Sequence, residues 1–441
     1  MTETPNPLMH RDVDEASRRA LAQRGLTYRT VPAAEPAFDG WIQAVARGFQ
    51  DGERSAEQIA GARGRNSDRR LTGVFDESGP MPEVAVGTVA SWASELTVPG
   101  GTIPAGAISA VTVAQTHRRR GIARALLEGE VRTVAAAGLP VAMLTVTEST
   151  LYGRYGFASA ASAAILDIDT RRVRWSGPTP EGRLDFVERT VARDVVATLH
   201  ERTRRRTPGD IALPPGHGDR FTGTDPDAKD GGDIRCVQYR DAAGEVRGIL
   251  TYTLAPHERD IVKGTAKVTI LIAETDDAYA ALWRFLLELD LVAHVHAELC
   301  SVDEPVLWMI GDRRAASVTV FDHQYLRIVD VPAALRARTY GAAGRVVLRV
   351  SDPLEIAAGD YLLTVDDHGA ATVSAATDAD DAGGTAGAET LELSVVELAA
   401  VYLGGVSPET LGRAGRVRGT DLAAASRMFA STVVPRVGLW Y

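Results

Sequence analysis

The stretch VTVAQTHRRRGIARALLEGEV, Val111–Val131, decides the fold. An alternating apolar run gives way to three arginines, a glycine, a small residue and a helical pattern. Leu126, Leu127, Val131 and Val134 supply one apolar face over Ile122–Ala137, and Gly138 is placed to end the helix. GAISAVTV (Gly106–Val113) reads as the strand before it. PVAMLTV (Pro140–Val146) reads as a strand after it, buried on both faces. Strand, helix, strand is the layout of a parallel β–α–β unit. The mouth of such a helix carries unpaired N–H groups and the positive end of the helix dipole, which suits a phosphate. Arg118, Arg119 and Arg120 precede that mouth, Gly121 lets the backbone approach a bulky diphosphate, and Ala123 keeps the first turn slim. A solvated basic face or a nucleic-acid patch would explain the arginines. Neither explains the glycine, the small residue and the buried flanking strands together.

The rest of the chain sets bounds. It has 441 residues, too many for one ordinary core, so two or three domains are expected. The formal net charge of −10 argues against bulk nucleic-acid binding and mildly favours small cationic partners through steering, although an acidic surface also serves solubility. No apolar run approaches the ~20 residues of a membrane span. The opening MTETPNPLMHRDVDEASRRA lacks the apolar core of a signal peptide, so a cytoplasmic protein is expected. Two cysteines, Cys236 and Cys300, are too few for a disulfide framework or a zinc cluster, and no metal is expected.

Residues 1–25 read as a loose extension or an isolated helix. Strands are expected at LTYRTV (Leu26–Val31), RRLTGVFDE (Arg69–Glu77) and EVAVGTVASWASELTV (Glu83–Val98), and a helix at DGWIQAVARGFQD (Asp39–Asp51). A second segment carries helix signals at RDVVATLHERTRRR (Arg193–Arg206) and DAYAALWRFLLELDLV (Asp277–Val292). Its strands are IRCVQYRD, VRGILTYTLA and AKVTILIAE, and LPPGHGDRFTGTDPDAKDGGD (Leu213–Asp233) reads as a long mobile loop. This order suggests a second copy of the first fold without the arginine–glycine run; HERTRRRTPGD has no helix after it. A third segment starts near Val331, with helices at AALRARTY and SVVELAAVYLGG, strands at GRVVLRVSD, DYLLTVDD and AATVSAATD, and a flexible small-residue loop over Thr377–Glu389.

Arg118-x-x-Gly121-x-Ala123 resembles motif A of the GNAT N-acetyltransferases, which binds the pyrophosphate of acetyl-coenzyme A. TESTLYGRYGF (Thr147–Phe157) is similar to the Eis (enhanced intracellular survival) branch, and SVVELAAVYLGGVSPETLGRAGRV (Ser394–Val417) resembles its sterol-carrier-like domain. The resemblance covers roughly residues 26–441. It implies an α/β (α+β) fold class with an extension over 1–25, a catalytic GNAT domain over 26–175, a second GNAT-like domain without the cofactor motif over 176–330, and a sterol-carrier-like domain over 331–441 whose end reaches the active site. For acetyl-CoA it implies a strand carrying Val111, Thr112 and Val113, diphosphate contacts from Arg119, Arg120, Gly121, Ile122, Ala123 and Arg124, and further contacts at Thr147 and Glu148. It also implies a homohexamer built as a trimer of dimers.

Acetyl transfer from a thioester to an amine needs a deprotonated amine, donors for the tetrahedral oxyanion and a proton for the thiolate. A tyrosine, with an ordinary pKa of about 10, stays protonated at neutral pH. The resemblance assigns this role to Tyr152; Tyr155 is the alternative, and either could be a packing aromatic. It also assigns the carboxylate of the last residue, Tyr441, as base, and the ending GLWY fits a buried tail, although a terminus docked only for packing would read the same way. Asp51 matches an acidic position lining the family's acceptor pocket, and Phe49, Trp41 and Ser109 are candidates for the same wall. Trp440 stands where a multi-amine binder would carry an acid. The expected activity is N-acetylation of a polyamine or aminoglycoside-like polycation, or of lysine side chains. The alternative is a lipid carrier whose GNAT fold is kept for acetyl-CoA sensing.

Overall fold

A computed structural model describes residues 6–225, 228, 230–376 and 387–441. Two units emerge: residues 1–160 with 324–432 and 441, and residues 161–323 with 433–440. The first unit opens with α1 (Glu15–Ala22), β1 (Thr27–Thr30), α2 (Ala37–Gly48), α3 (Ala56–Arg65), β2 (Arg70–Phe75), β3 (Gly87–Val98), β4 (Gly101–Val113), α4 (Ile122–Ala136), β5 (Val141–Thr145) and α5 (Ser149–Tyr152). The strands lie in the order β1-β2-β3-β4-β5. All pairs are antiparallel except β4–β5, so the parallel β–α–β reading holds around α4. That helix buries Ile122, Leu126, Leu127, Val131 and Val134 against the sheet, each a contribution of ~1.5–3 kcal/mol. Close packing is possible because Gly106 lies beneath it: a Cβ there would come within 2.6 Å of Val134 Cγ2.

Of the two readings of residues 1–25 the helix is the one realised, as α1, and it is docked rather than isolated. Leu8, Val13 and Leu21 belong to the same core as α4. Ser17 Oγ donates to Ala125 O at 2.7 Å, and Arg132 of α4 pairs with Asp14 at 2.9 Å. The Arg70 guanidinium is 1% exposed. It pairs with Glu130 of α4 at 2.5 Å and donates to the carbonyls of Arg11 and Asp12. The sequence pattern failed here because α1 is only two turns long and its apolar contacts are few. The helix α3 was missed as well: it has no continuous apolar face and stands on a Ser55–Gln58 capping box instead.

The second unit takes up β6 (Ala158–Asp169) from Ala161 onward, then β7 (Arg183–Phe186), α6 (Arg189–Arg204), α7 (His217–Thr222), β8 (Arg235–Arg240), β9 (Val246–Ala255), β10 (Gly264–Ala273), α8 (Asp276–Leu287), β11 (Val292–Cys300), α9 (Val306–Met309) and β12 (Ala316–Ile328) as far as His323. Its strand order is β6-β11-β10-β9-β8-β7, and β10 and β11 run parallel on either side of α8. The strand–helix–strand layout of the first unit is therefore repeated. The place that matches the arginine–glycine run holds Glu274 and Thr275, followed by Asp276 and Asp277; Thr275 caps the Ala278 N–H at 3.2 Å. A helix mouth that caps itself and carries two acids repels a phosphate, which explains the missing motif. The expected mobile loop at 213–233 contains α7, whose His217, Phe221 and Thr222 are buried.

In the remainder of the first unit, Gln324–Ile328 of β12 pair antiparallel with β5. There follow α10 (Val331–Arg336), β13 (Gly344–Ser351), β14 (Gly359–Val365), β15 (Ala371–Ala375), β16 (Glu389–Ser394), α11 (Val395–Val401), α12 (Pro408–Arg413), β17 (Arg418–Gly419) and α13 (Leu422–Phe429). Five strands form a sheet in the order β15-β14-β13-β16-β17. Of the expected loop at 377–389, residues 377–386 lie outside the described residues. Among the described residues no helix is long and apolar enough to cross a membrane, and no group of His, Cys, Asp or Glu has a metal-holding arrangement.

Candidate active site

The pairing of β4 with β5 stops at Ala107↔Met143. Beyond it β4 runs on to Val113 with β3 on one side, while β5 pairs with β12. The divergence has a local cause. The β3–β4 register slips between Thr88 and Ala90, leaving Ala110 and Val111 opposite one residue, and Ala110 adopts φ +51°. Such a bulge bends the strand that carries it. Thr88 Oγ1 holds the bend by donating to Ala110 O at 2.7 Å. On the side away from β3, Val111, Thr112 and Val113 thus lie on a strand edge with no partner strand among the described residues.

At the end of that strand the chain turns through Arg118–Gly121. Arg119 has φ +62° and Gly121 has φ +76°. Alternating left-handed residues of this kind turn successive N–H groups to one side, forming a concavity suited to an anion. No side chain caps α4 among the described residues, and Ala125 is the first N–H of the helix to bond back, to Gly121 O at 3.0 Å. The N–H groups of Ile122, Ala123 and Arg124 therefore point out of the mouth. Arg118 and Arg119 are exposed and make no ion pair among the described residues. Arg120 is engaged: it donates to Asp76 at 3.2 Å, where His117 Nε2 also sits at 3.0 Å. Hydrogen bonds from Ser78 and His117, with Arg120 beside them, hold the Asp76 carboxyl well below the usual range. Arg124 pairs with Glu128 at 2.7 Å. Thr147 and Glu148 are exposed between β5 and α5.

Tyr152 closes α5 and is buried against Phe157 and Tyr325, with ring centroids at 6.3 and 6.4 Å. Its hydroxyl meets no hydrogen-bond partner among the described residues. Burial, then the charge of Glu148, push its pKa up to about 12, so it is a firmly protonated phenol at neutral pH. Tyr155 is also buried and raised, by burial and by Glu128 of α4; its carbonyl accepts from Arg327 Nε at 3.1 Å.

The last residue docks beside β5. Thr145 Oγ1 donates to Tyr441 O at 3.1 Å, and the Tyr441 N–H lies 3.4 Å from the same hydroxyl. Gln324 Nε2 donates to the Tyr441 phenol at 3.4 Å, and burial raises that phenol's pKa. The Tyr441 ring meets Trp92 of β3 edge-on at 6.0 Å, and the Arg69 guanidinium lies 4.0 Å over the Trp92 ring. Sequence reasoning missed Thr145, Trp92, Gln324 and Arg69. An alternating strand pattern could have put Trp92 on a face, but nothing local shows what a chain end 296 residues away will touch.

The acceptor-wall candidates divide. Asp51 and Phe49 are exposed just after α2, and Asp51 pairs with Arg54 at 2.5 Å. Ser109 is half-buried on β4 next to the bulge. Trp41 does not belong with them. It is 1% exposed, stacks on Phe38 and donates its indole N–H to Thr72 O at 2.8 Å, so it is a core residue with no face left for a ligand. Trp440 lies in the second unit with its ring 4.4 Å from His323.

A parallel β–α–β unit whose strands diverge beside an uncapped helix mouth is the frame of the GNAT class of N-acyltransferases. Known proteins agree. The acetyltransferase (GNAT) domain family matches residues 28–160, a second acetyltransferase (GNAT) domain matches 219–328, and the sterol carrier protein domain matches 331–436. A protein of Streptomyces avermitilis named as an uncharacterized N-acetyltransferase is 37% identical over 405 residues, covering 90% of this chain and 93% of that one. N-acetyltransferase Eis of Mycobacterium tuberculosis is 34% identical over 373 residues, 82% of this chain and 86% of that one. The crystal structure of Eis1 from Mycobacterium abscessus superposes with a TM-score of 0.76 at 27% identity, over 94% of this chain and 100% of that one. The chain belongs to the Eis family of GNAT N-acetyltransferases.

Proposed function

We propose that the chain transfers the acetyl group of acetyl-CoA to a primary amine. The observation that carries this reading is the uncapped mouth of α4 at the end of the unpaired edge of β4. Its fit to a diphosphate is argued from the backbone: Arg119 and Gly121 in left-handed conformations, three outward N–H groups, and two exposed arginines beside them. Acetyl-CoA supplies the thioester. The chain's own part is to hold the diphosphate over Arg119–Arg124, to present the β4 edge at Val111–Val113, to protonate the departing thiolate from Tyr152, and to receive the amine's proton at the carboxylate of Tyr441. Both phenols are kept protonated; Tyr152 is preferred over Tyr155 as acid because it stands at the place of the family's acid in the matching motif. Thr145 supports the role of Tyr441 by fixing its oxygen at 3.1 Å.

The domain limits given above and a homohexameric assembly belong to the same reading. So does a cationic acceptor, of the polyamine or aminoglycoside-like class; its support is Asp51, which already has Arg54 as a counter-ion. An amine panel assayed for free thiol released from acetyl-CoA tests the proposal. Amine-dependent thiol release that disappears in a Tyr152→Phe variant is the expected result. Thiol release that no amine stimulates would overturn it.

A further inference from the structure

The three arginines at the mouth of α4 look alike in the sequence, and the structure separates them. Arg118 and Arg119 are exposed, whereas Arg120 turns back onto the protein. Asp76, the first residue after β2, gathers the contacts. Its Oδ2 accepts from Arg120 Nη1 at 3.2 Å and lies 3.0 Å from His117 Nε2. Its Oδ1 accepts from Ser78 Oγ at 2.6 Å and from the Ser78 N–H at 3.2 Å. Arg24, just after α1, holds the same turn from another side. Its guanidinium donates to the main-chain oxygen of Arg120, and its own main-chain oxygen accepts from Arg120 Nη2 at 3.3 Å. Arg120 is thereby tied through side chain and backbone, between Arg119 at φ +62° and Gly121 at φ +76°.

On charge alone Asp76 is misplaced. A carboxylate beside a diphosphate site repels the ligand, and the hydrogen bonds from Ser78 and His117 keep this one ionised. Its contacts show what offsets the repulsion. A residue other than glycine at positive φ, as Arg119 is, persists only where its surroundings hold it there. A loop ordered before the ligand arrives also spares the ordering cost at binding. We infer that Asp76 is a positioning residue for the coenzyme: through Arg120 and His117 it holds the turn Arg118–Gly121 in the conformation that aims its N–H groups at the diphosphate, and Arg24 fixes the same turn from the end of α1. The inference rests on the reading of the α4 mouth given above. It assigns the Arg120 guanidinium to the support of the turn and leaves Arg118 and Arg119 as the side-chain cations that face the anion.

Charge and positioning predict opposite signs for one substitution. If Asp76 acted only through its field, Asp76→Asn would tighten acetyl-CoA binding, because a repelling charge is gone. Positioning makes the variant bind about ten-fold more weakly by calorimetry, with kcat at saturating acetyl-CoA within about two-fold of wild type, since the reacting end of the coenzyme is untouched. Hydrogen exchange in the ligand-free variant should rise across residues 114–122 while α4 beyond Ala125 keeps its protection. Asp76→Asn combined with Arg120→Gln should cost far less than the product of the two single losses, because both break the same contact. Arg24→Lys keeps the charge, loses the paired donors and should loosen the same segment, and it carries the test if Asp76→Asn does not fold. A folded Asp76→Asn protein that binds acetyl-CoA as tightly as wild type or more so, a double variant whose losses multiply, or unchanged exchange in Arg24→Lys would overturn the inference. Wild-type protein that does not bind acetyl-CoA would instead sink the reading of the α4 mouth itself.

Discussion

Thr145 Oγ1 donates to the main-chain oxygen of Tyr441 at 3.1 Å, so a side chain at the end of a central strand fixes the last residue of the chain. If that oxygen belongs to the catalytic base, its placement counts as much as its charge. Thr145→Val keeps the shape and removes the donor. It should lower kcat for amine acetylation by roughly 10–100-fold with KM for acetyl-CoA unchanged, and Thr145→Ser should restore most of the rate. Equal rates for the Val and Ser variants would show that the contact only packs the tail.

The two tyrosines separate by one substitution each. Tyr152→Phe removes a phenol that no group among the described residues engages, and should lower kcat by about 10²–10⁴-fold, the span of a positioned general acid. Tyr155→Phe should have a small effect, because that ring packs against α4. Steady-state kinetics at saturating acetyl-CoA decides between them; the reverse ranking would transfer the role of acid to Tyr155.

The mouth of α4 can be closed by one residue. Gly121 sits at φ +76°, and a Cβ there would also come within 2.3 Å of Arg24 Nη1. Gly121→Val should abolish calorimetric binding of acetyl-CoA, and charge reversal at Arg119 should weaken it with a reduced salt dependence. A Gly121→Val protein that melts like wild type and binds normally would remove the diphosphate from this site.

Acid should loosen the second unit. His200 and His323 are buried and held near pKa 4 by desolvation, below their ordinary 6.5. Their neutral forms are the ones that fit, so their contribution is full above pH 6.5 and is lost as pH falls through 4, by roughly 2–3 kcal/mol each at most. Asp210 works the other way. Burial raises it to about 6, so its contribution is full below 3.8 and lost as pH rises through 6. Two histidines against one carboxyl leave a net loss on acidification. His323 also holds Leu439 O at 3.1 Å. Melting curves at pH 7.5 and 5 should converge in His323→Gln relative to wild type; an unchanged pH dependence would mean that His323 is not the titrating group.

The parallel unit around α4 was legible because its signals are local: a period of 3.6, a glycine where φ is positive, and apolar strands on both sides. Tyr152 was legible only through resemblance to a motif. What stayed hidden depends on distant pairing. Trp41 reads as a pocket aromatic until its indole is found bonded to Thr72 O. Arg69 reads as a surface arginine at the start of a strand until Trp92 is found beneath it. The docking of α1 was invisible because Ser17 and Asp14 are polar, and polar residues in a sequence do not announce that they will be buried against Ala125 and Arg132.

The pair Arg70–Glu130 bears on how this sequence can drift. Both side chains are all but sealed from solvent, and the guanidinium ties the N-terminal carbonyls of Arg11 and Asp12 to α4 as well. Losing either partner alone strands a buried charge at a cost of about 3–5 kcal/mol, a large part of the ~5–15 kcal/mol that keeps a domain folded. Replacing both together with apolar residues strands no charge and costs less than either single change, although the carbonyls of Arg11 and Asp12 then lose their donor. Single-step mutational paths out of this arrangement are therefore closed while the two-step endpoint is open. Related chains should carry either the complete ion pair or an apolar pair at these positions, with the mixed combinations rare.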